Sequence, residues 1–483
     1  MMPEKHSRRL SVTANEQMTA QAGRSEDPTG DTYKWLVLIV AGTSAFMSAL
    51  DGSIINIIIP QIQAQYQATL GDVSWVSTAY LVTISSLLLS VGRLGDMWGY
   101  KWVFGSGFVI FGLGSLLCGL APTMPTLIGG RLVQGVGAAV LMALSPALIT
   151  TTFPGRERGR ALGMQATLTF TGLTLGPSLG GFIAGHWGWH WVFLINLPVA
   201  VLGVTLAFTK LRPTERRGGQ TFDLAGALLF ASGLASLLLA LSQAETWGWG
   251  DARTRLLLAG GVLLLLLFIW QERRARQPML PLWMFREPAF TSGIAASFLQ
   301  FSATFVLTFL LPFYLQQYRG LSPGAAGAVM TAQPIAMVSV AGLAGWLSDR
   351  IGTRIPATLG MSTIAVGLWL VASSGAETPV AQVALCLAVI GLGAGLFSAP
   401  NNSSIMGAAP RERQGVAAAL QAAARNVGQM TGITIASTLF AHLSLRTDFL
   451  TAFRTTLVVS VCLAVTSAAL SLVRPTVVRG GGD

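Results

Sequence analysis

Charged residues are scarce in this 483-residue chain. Asp, Glu, Lys and Arg make up 11% of it and hydrophobic residues 52%, whereas about 25% of the residues in soluble domains are charged. So few charges cannot cover a water-exposed surface, which excludes a disordered protein and argues against a soluble enzyme. Glycine, by contrast, is abundant at 55 residues, as in membrane helices whose backbones approach closely. The composition predicts a polytopic membrane protein.

The chain also contains few cysteines and no phosphate-binding loop motif. The three cysteines, Cys118, Cys386 and Cys462, lie inside apolar runs without metal-ligand spacing, so we expect neither a disulfide scaffold nor a metal site. No G-x-x-x-x-G-K-[ST] sequence occurs, which excludes ATP-driven pumping by this chain. Residues 1–34 contain no apolar signal-peptide core, and we expect them to form a disordered tail.

Apolar runs follow from Trp35 onward, each long enough to cross about 30 Å of hydrocarbon as a helix. There are fourteen of them. The runs cover residues 35–59, 73–92, 102–121, 125–149, 161–185, 189–209, 224–243, 255–270, 289–315, 325–347, 355–374, 380–400, 415–441 and 453–473.

The distribution of basic residues predicts the orientation of these runs. With the N-terminus inside, 24 lysines and arginines fall on inner segments and five on outer ones, while Arg131 and Arg425 lie within helices. Because cytoplasmic loops carry the excess of basic residues, both termini are predicted to be cytoplasmic. The same distribution accounts for the net charge of +11 without a nucleic-acid partner.

Two loops show that the chain contains a repeat. Gly92–Lys101 and Gly345–Arg354 both read G-x-L-x-D-x-x-G-x-[KR] at an offset of 253 residues, and Arg156–Arg158 recurs as Arg411–Arg413 at an offset of 255. Both copies lie on the predicted inner side, so the repeats are parallel. The pattern predicts an all-α membrane protein of two parallel six-helix bundles plus two extra central helices. Two such bundles enclose a cavity near the bilayer midplane.

Several motifs in order resemble the major facilitator superfamily, specifically its fourteen-helix drug:proton antiporter branch. They are Leu50–Pro60 in the first run, the Gly92–Lys101 loop, Arg131–Gly137, Gly172–Gly181 and Trp189–Pro198. The resemblance covers about residues 35–473. It implies the following organisation: a cytoplasmic tail (1–34), an N-terminal bundle (35–210), a linker with two extra transmembrane helices (211–288), a C-terminal bundle (289–473) and a second tail (474–483).

Asp51 is the one carboxylate in the middle of an apolar run. A buried ionisable group in a membrane is costly and marks an ion or proton pathway, although a structural hydrogen-bonding role stays open. Counted at 1.5 Å per residue, Asp51 lies roughly 12 Å and Arg131 about 9 Å from the outer ends of their helices. The resemblance places both helices around the cavity, so we expect this pair to form the proton switch.

The resemblance also implies roles for other motif residues. The two repeated loops are expected to gate the cytoplasmic side, each acid capping the following helix and pairing with nearby arginines. Their residues are Gly92, Asp96, Gly99, Lys101, Gly345, Asp349, Gly352 and Arg354. The antiporter motif is expected to seal the interface between the halves, through Gly172, Gly176, Pro177, Gly180 and Gly181. The predicted polar groups of the cavity are Asn56, Gln134, Gln165, Asn401 and Arg425, the last with snorkelling toward the cytoplasm as its alternative.

The leading functional hypothesis is proton-coupled export of lipophilic small molecules across the plasma membrane. A proton gradient needs no cofactor, one intramembrane acid favours neutral or monocationic cargo over dications, and the protein is expected to work as a monomer in the bilayer. A dedicated exporter of one metabolite or natural product is the alternative with the same fold. Symport is disfavoured by the antiporter motif, and the remaining alternative is a membrane-embedded sensor without transport.

Overall fold

A computed structural model describes residues 28–68, 70–213, 222–275, 277–321 and 323–473. Residues 1–27 of the predicted N-terminal tail and all of 474–483 lie outside these ranges. Each of the fourteen apolar runs coincides with helix, and the first helix continues past its run to Tyr66.

The first part of the chain forms seven helices. They are α1 (Pro28–Tyr66), α2 (Leu70–Trp98), α3 (Tyr100–Gly119), α4 (Met124–Thr152), α5 (Arg158–Trp187), α6 (His190–Leu194) and α7 (Asn196–Lys210). In this N-terminal half, α1 packs against α5, and α4 packs against α2 and α3.

Two helices follow and form a hairpin between the halves, α8 (Leu224–Trp247) and α9 (Ala252–Arg274). A short 3₁₀ turn at Leu282–Arg286 leads into the second half. The helices of that half are α10 (Pro288–Pro312, continued as a π-helix over Phe313–Tyr318), α11 (Pro323–Met330), α12 (Ala332–Ile351), α13 (Arg354–Ala372), α14 (Val380–Ala408), α15 (Gln414–Ser444) and α16 (Phe449–Leu472).

Within the described residues, twelve helical spans are long and apolar enough to cross a membrane. Helices α5 and α15, with 30 and 31 residues, are long enough as well but more polar. Both line the cavity described below, and the side chains that they place there include glutamine, threonine and arginine. The predicted repeat thus appears in an all-helical fold, while the count of fourteen crossings stays a prediction.

The packing of the two halves follows the repeat in the sequence. Helices α10 and α15 pair in the second half as α1 and α5 pair in the first, and α14 packs on α12 and α13 as α4 does on α2 and α3. The two halves meet through equivalent pairs, α2 with α15 and α12 with α5. Two large apolar clusters fill the interior, one around Phe104, Phe108 and Phe111 and the other around Leu307, Met361 and Phe453, and each includes residues of both halves.

The extra hairpin lies against the contact between the halves. Helix α8 packs on both α2 and α15, and Thr78 and Ser242 join α2 to α8 with a hydrogen bond of 3.3 Å between their hydroxyls. In the loop between α8 and α9, the indole nitrogen of Trp249 donates a hydrogen bond to Thr438 of α15 at 3.0 Å.

Glycines let α3 and α4 approach closely. A Cβ atom on Gly137 would lie 2.6 Å from the Cα atom of Phe111 and 2.8 Å from the carbonyl oxygen of Gly107. Gly129, two turns earlier on the same helix, has nothing within 4 Å of the same position.

These two glycines provide a matched test of the packing. We expect Gly137→Ala to lower the apparent melting temperature of the purified protein, since overpacking costs about 1–3 kcal/mol. The clashing atoms belong to the backbone of α3, so they can move only if the helix moves with them. Gly129→Ala gains about 1 kcal/mol of helix propensity without a clash and should leave stability equal or higher. Equal melting temperatures for the two variants in detergent would contradict the close contact between α3 and α4.

Candidate functional site

A buried polar network surrounds Asp51 in the middle of α1. The carboxylate is 1% exposed, and its Oδ2 lies 2.7 Å from Nη1 of Arg131 on α4. Its other oxygen accepts hydrogen bonds from Nε2 of Gln134 and Nδ2 of Asn196, both at 2.9 Å. Donors from α4 and α7 therefore hold a negative charge inside the N-terminal half, as is needed for a charge removed from water.

Arg131 is fixed from several sides. Its Nε donates to the carbonyl of Val76 at 3.0 Å, and its Nη1 donates also to Oε1 of Gln134 at 2.5 Å. The guanidinium lies over the ring of Tyr80, 3.9 Å from the centroid, where a cation interacts favourably with the aromatic face. The contact between Asp51 and Arg131 that the depth estimate predicts is thus present in the structure, while its role stays a prediction.

Three members of this network differ from what the sequence predicts. Asn196 and Tyr80 are not among the predicted site residues. Gln134 is predicted to line the cavity but lies behind Arg131, fully buried, with its amide also donating to Ser115 at 2.8 Å. The signal for Asn196 is its place in the Trp189–Pro198 motif, at the start of a helix that passes Asp51.

A cavity of about 550 Å³ lies between the two halves. Its wall is mostly apolar, with Phe170 from α5 and Phe301, Phe305 and Phe309 from α10. Arg131 reaches this wall, whereas Asp51 lies behind it and is not among the lining residues. Of the two members of the ion pair, Arg131 is therefore the one in contact with the cavity.

Three of the predicted cavity residues line the cavity, namely Gln165, Asn401 and Arg425. Gln165 donates to Ser145 at 2.6 Å, and Asn401 donates to Ser297 at 2.7 Å. Arg425 stands over the ring of Phe301, 5.9 Å from its centroid. The side chain of Asn56 lies outside the described residues.

The two repeated loops close one end of the cavity. Both oxygens of Asp96 accept backbone N–H groups at the start of α15, from Gly415 at 2.9 Å and Val416 at 3.2 Å. Asp349 does the same at the start of α5, accepting from Gly159 and Arg160 at 3.0 Å each. The carboxylates thus complement the positive ends of these helix dipoles.

This geometry corrects one expectation. Asp96 and Asp349 do not cap the helix that follows each in sequence, α3 and α13, but a helix of the opposite half. The reason is that the second helix of each half ends beside the start of the fifth helix of the other half. The unpaired N–H groups of that helix are therefore nearer to the carboxylate than those of the helix that follows in sequence. Tyr100 donates its hydroxyl to Asp96 at 2.6 Å.

The glycines of the loops have two different tasks. Gly99 and Gly352 adopt φ values of 88° and 82°, a region open mainly to glycine, and so turn the chain between successive helices. Gly92 and Gly345 lie where the halves touch, facing the backbones of Gly415 and Gly159. At the ends of the two motifs, Lys101 lies near the Trp102 ring, 5.9 Å from its centroid, and Arg354 begins α13.

The predicted antiporter motif packs elsewhere than expected. Gly172 and Gly176 face α1, where a Cβ on Gly172 would lie 3.1 Å from the backbone nitrogen of Leu50 and one on Gly176 3.1 Å from that of Ile54. Gly180 is buried and Gly181 exposed on the same helix, and the side chain of Pro177 is outside the described residues. These described contacts join α5 to α1 inside one half, next to Asp51. The interface between the halves is instead approached by Gly159 and Gly163 of α5.

Comparisons with known proteins agree with this architecture. The family model for the Major Facilitator Superfamily matches residues 41–324 and 293–480. The riboflavin transporter RibZ of Clostridioides difficile is 37% identical over 410 residues, which are 85% of this chain and 89% of RibZ. The multidrug resistance protein Stp of Mycobacterium tuberculosis is 33% identical over 409 residues, 84% of this chain and 76% of Stp.

Among solved structures, the proton:xylose symporter XylE has a similar fold. It superposes with a TM-score of 0.67 at 16% identity, covering 91% of this chain and 95% of XylE. Together with the family match, the helical fold and the apolar spans, this shows that the chain is a multi-pass membrane protein of the Major Facilitator Superfamily, a transporter and not an enzyme.

Proposed function

We propose that the protein is a proton-coupled antiporter that exports lipophilic small molecules from the cytoplasm by alternating access. The observation that carries the proposal is the buried Asp51–Arg131 ion pair beside a mainly apolar cavity. A carboxylate in the membrane interior that can gain or lose a proton is the means by which such a cavity is coupled to a proton gradient. The similarity to a named multidrug resistance protein supports the export of drug-like molecules.

The coupling follows from the charges of the pair. As long as Asp51 is ionised, it compensates Arg131, and Gln134 and Asn196 complete its hydrogen bonds. Protonation would leave Arg131 as an uncompensated buried cation, and losing one partner of such a pair costs about 3–5 kcal/mol. The protonated state is therefore driven to rearrange around Arg131, which lines the cavity.

The orientation predicted from the basic residues places the closed end of the cavity at the cytoplasm. Asp96 and Asp349 cap helices across the interface at that end, which supports a conformation closed toward the cytoplasm. In the same orientation both termini are cytoplasmic and the chain crosses the plasma membrane fourteen times, with the bundles 35–210 and 289–473 moving relative to each other. The proposed transporter needs no cofactor and works as a monomer.

A dedicated exporter of one metabolite is the second candidate, favoured by the similarity to a protein named as a riboflavin transporter. The two candidates differ in breadth. A broad exporter should move several unrelated dyes in membrane vesicles, whereas a dedicated carrier should move riboflavin or another single compound and none of the dyes.

The proposal predicts that Asp51→Asn abolishes substrate-driven proton movement. In energised everted vesicles, a lipophilic substrate added outside should release protons from the lumen, read as dequenching of an acridine dye, and the variant should give no dequenching. Asp448→Asn is the matched control, because Asp448 is exposed and caps α16 through Thr451, a task that asparagine also performs. Dequenching that survives in Asp51→Asn would remove this residue from proton coupling.

The cross-half caps predict a second result. The double variant Asp96→Asn, Asp349→Asn loses two charge-assisted interactions, each worth about 1.5–3 kcal/mol, so the closed end should open more often. A cysteine placed at Met142, which lines the cavity, should then react roughly tenfold faster with a membrane-impermeant maleimide in everted vesicles. Asp448→Asn in the same background removes one carboxylate charge at a cap that lies within one half, and it should leave the labelling rate unchanged. An unchanged rate in the double variant would show that the caps do not hold the gate.

A further inference from the structure

The charges on the cavity wall are unequal. Among the described residues that line the cavity there are two guanidinium groups, Arg131 and Arg425, and no carboxylate. Arg131 is compensated by Asp51 at 2.7 Å. Arg425 has neither an ion pair nor a hydrogen bond with any described residue. The wall therefore presents one uncompensated positive charge to whatever occupies the cavity.

Arg425 cannot reach the membrane surface to relieve this charge. It lies eleven residues after Gln414, the first residue of α15, or about 16 Å from the closed end of the bundle at 1.5 Å per residue. Its guanidinium is directed at the cavity, over Phe301. An uncompensated cation at this depth is costly, so an anion that enters the cavity gains the interaction that the protein does not provide.

The surroundings of Arg425 define the rest of the ligand. Gln421, one turn before it, donates to Asn402 across the cavity wall, and Gln429 lies one turn after it. Phe301 and Phe305 of α10 line the same cavity, with their ring centroids 6.3 Å apart and their planes tilted by 30°. A flat aromatic ring system packs favourably against such phenyl rings, while the amides supply hydrogen bonds to its polar edge.

We infer that the cavity binds lipophilic aromatic anions, with the acidic group of the ligand on Arg425 and its rings against the phenylalanines of α10. This inference rests on the proposed function and narrows it, replacing the neutral or monocationic cargo predicted from the sequence. Asp51 offers no free charge to a cation in this conformation, since three side chains already occupy it. When one such anion leaves and one proton enters, the cycle moves two positive charges inward. An inside-negative membrane potential favours this direction.

The test compares two xanthene dyes of similar shape and opposite charge, anionic fluorescein and cationic rhodamine 123. Their binding to the full chain in nanodiscs is measured by fluorescence anisotropy. The wild-type protein should bind fluorescein at least tenfold more tightly than rhodamine 123. Arg425→Gln should weaken fluorescein binding about tenfold to a hundredfold, the range expected for one charge-assisted hydrogen bond, whereas Arg425→Lys should keep most of the preference.

Arg446→Gln is the control, because Arg446 is exposed and does not line the cavity. A further measurement uses the wild-type protein alone: 1-naphthoate should displace fluorescein much better than the neutral 1-naphthalenemethanol. Equal displacement by the two, a preference for rhodamine 123, or identical affinities in Arg425→Gln and Arg446→Gln would each overturn the inference.

The two proposals fail separately. Anion selectivity is read in a binding assay without a proton gradient, so it can be lost while proton movement through Asp51 persists. Conversely, selective fluorescein binding together with proton movement that survives in Asp51→Asn would leave the anion site standing and remove the proposed coupling.

Discussion

Burying a charge in a membrane is the constraint on which the rest of this structure depends. Asp51 lies in the interior of the N-terminal half at 1% exposure, where an isolated carboxylate would cost several kcal/mol. The protein compensates it with an arginine, a glutamine and an asparagine from two other helices. Each of these helices must therefore keep its depth and rotation relative to α1, and the glycines that bring α5 onto α1 stand next to this point.

The cavity inherits its properties from this arrangement. Because the carboxylate stays behind Arg131, the wall has cationic and aromatic groups but no described acid. The two arginines differ in their surroundings, since Arg131 is buried and Arg425 only partly so. Arg131 is paired with Asp51, whereas Arg425 faces the cavity without an ion-pair partner among the described residues.

Closure of the bundle uses the same physics at a second place. The halves meet where two carboxylates receive the N–H groups of helix ends that belong to the opposite repeat. A helix end brings unpaired donors and a partial positive charge, so one acid on each side adds a polar connection to the apolar contact between α2 and α15.

The sequence alone determined the helical, membrane-embedded fold and its repeat, since run length, scarcity of charge and repeated loops follow directly from the order of residues. It also predicted that Asp51 and Arg131 lie at one depth, because helical rise converts residue number into distance. Apart from this pair, the partners of the site residues were decided only by the tertiary structure. That Asp96 and Asp349 cap helices of the opposite half, that Asn196 completes the carboxylate network and that Arg425 stands uncompensated all depend on how helices distant in sequence are rotated against each other. Helical periodicity states which residues share a face, but not which helix that face meets.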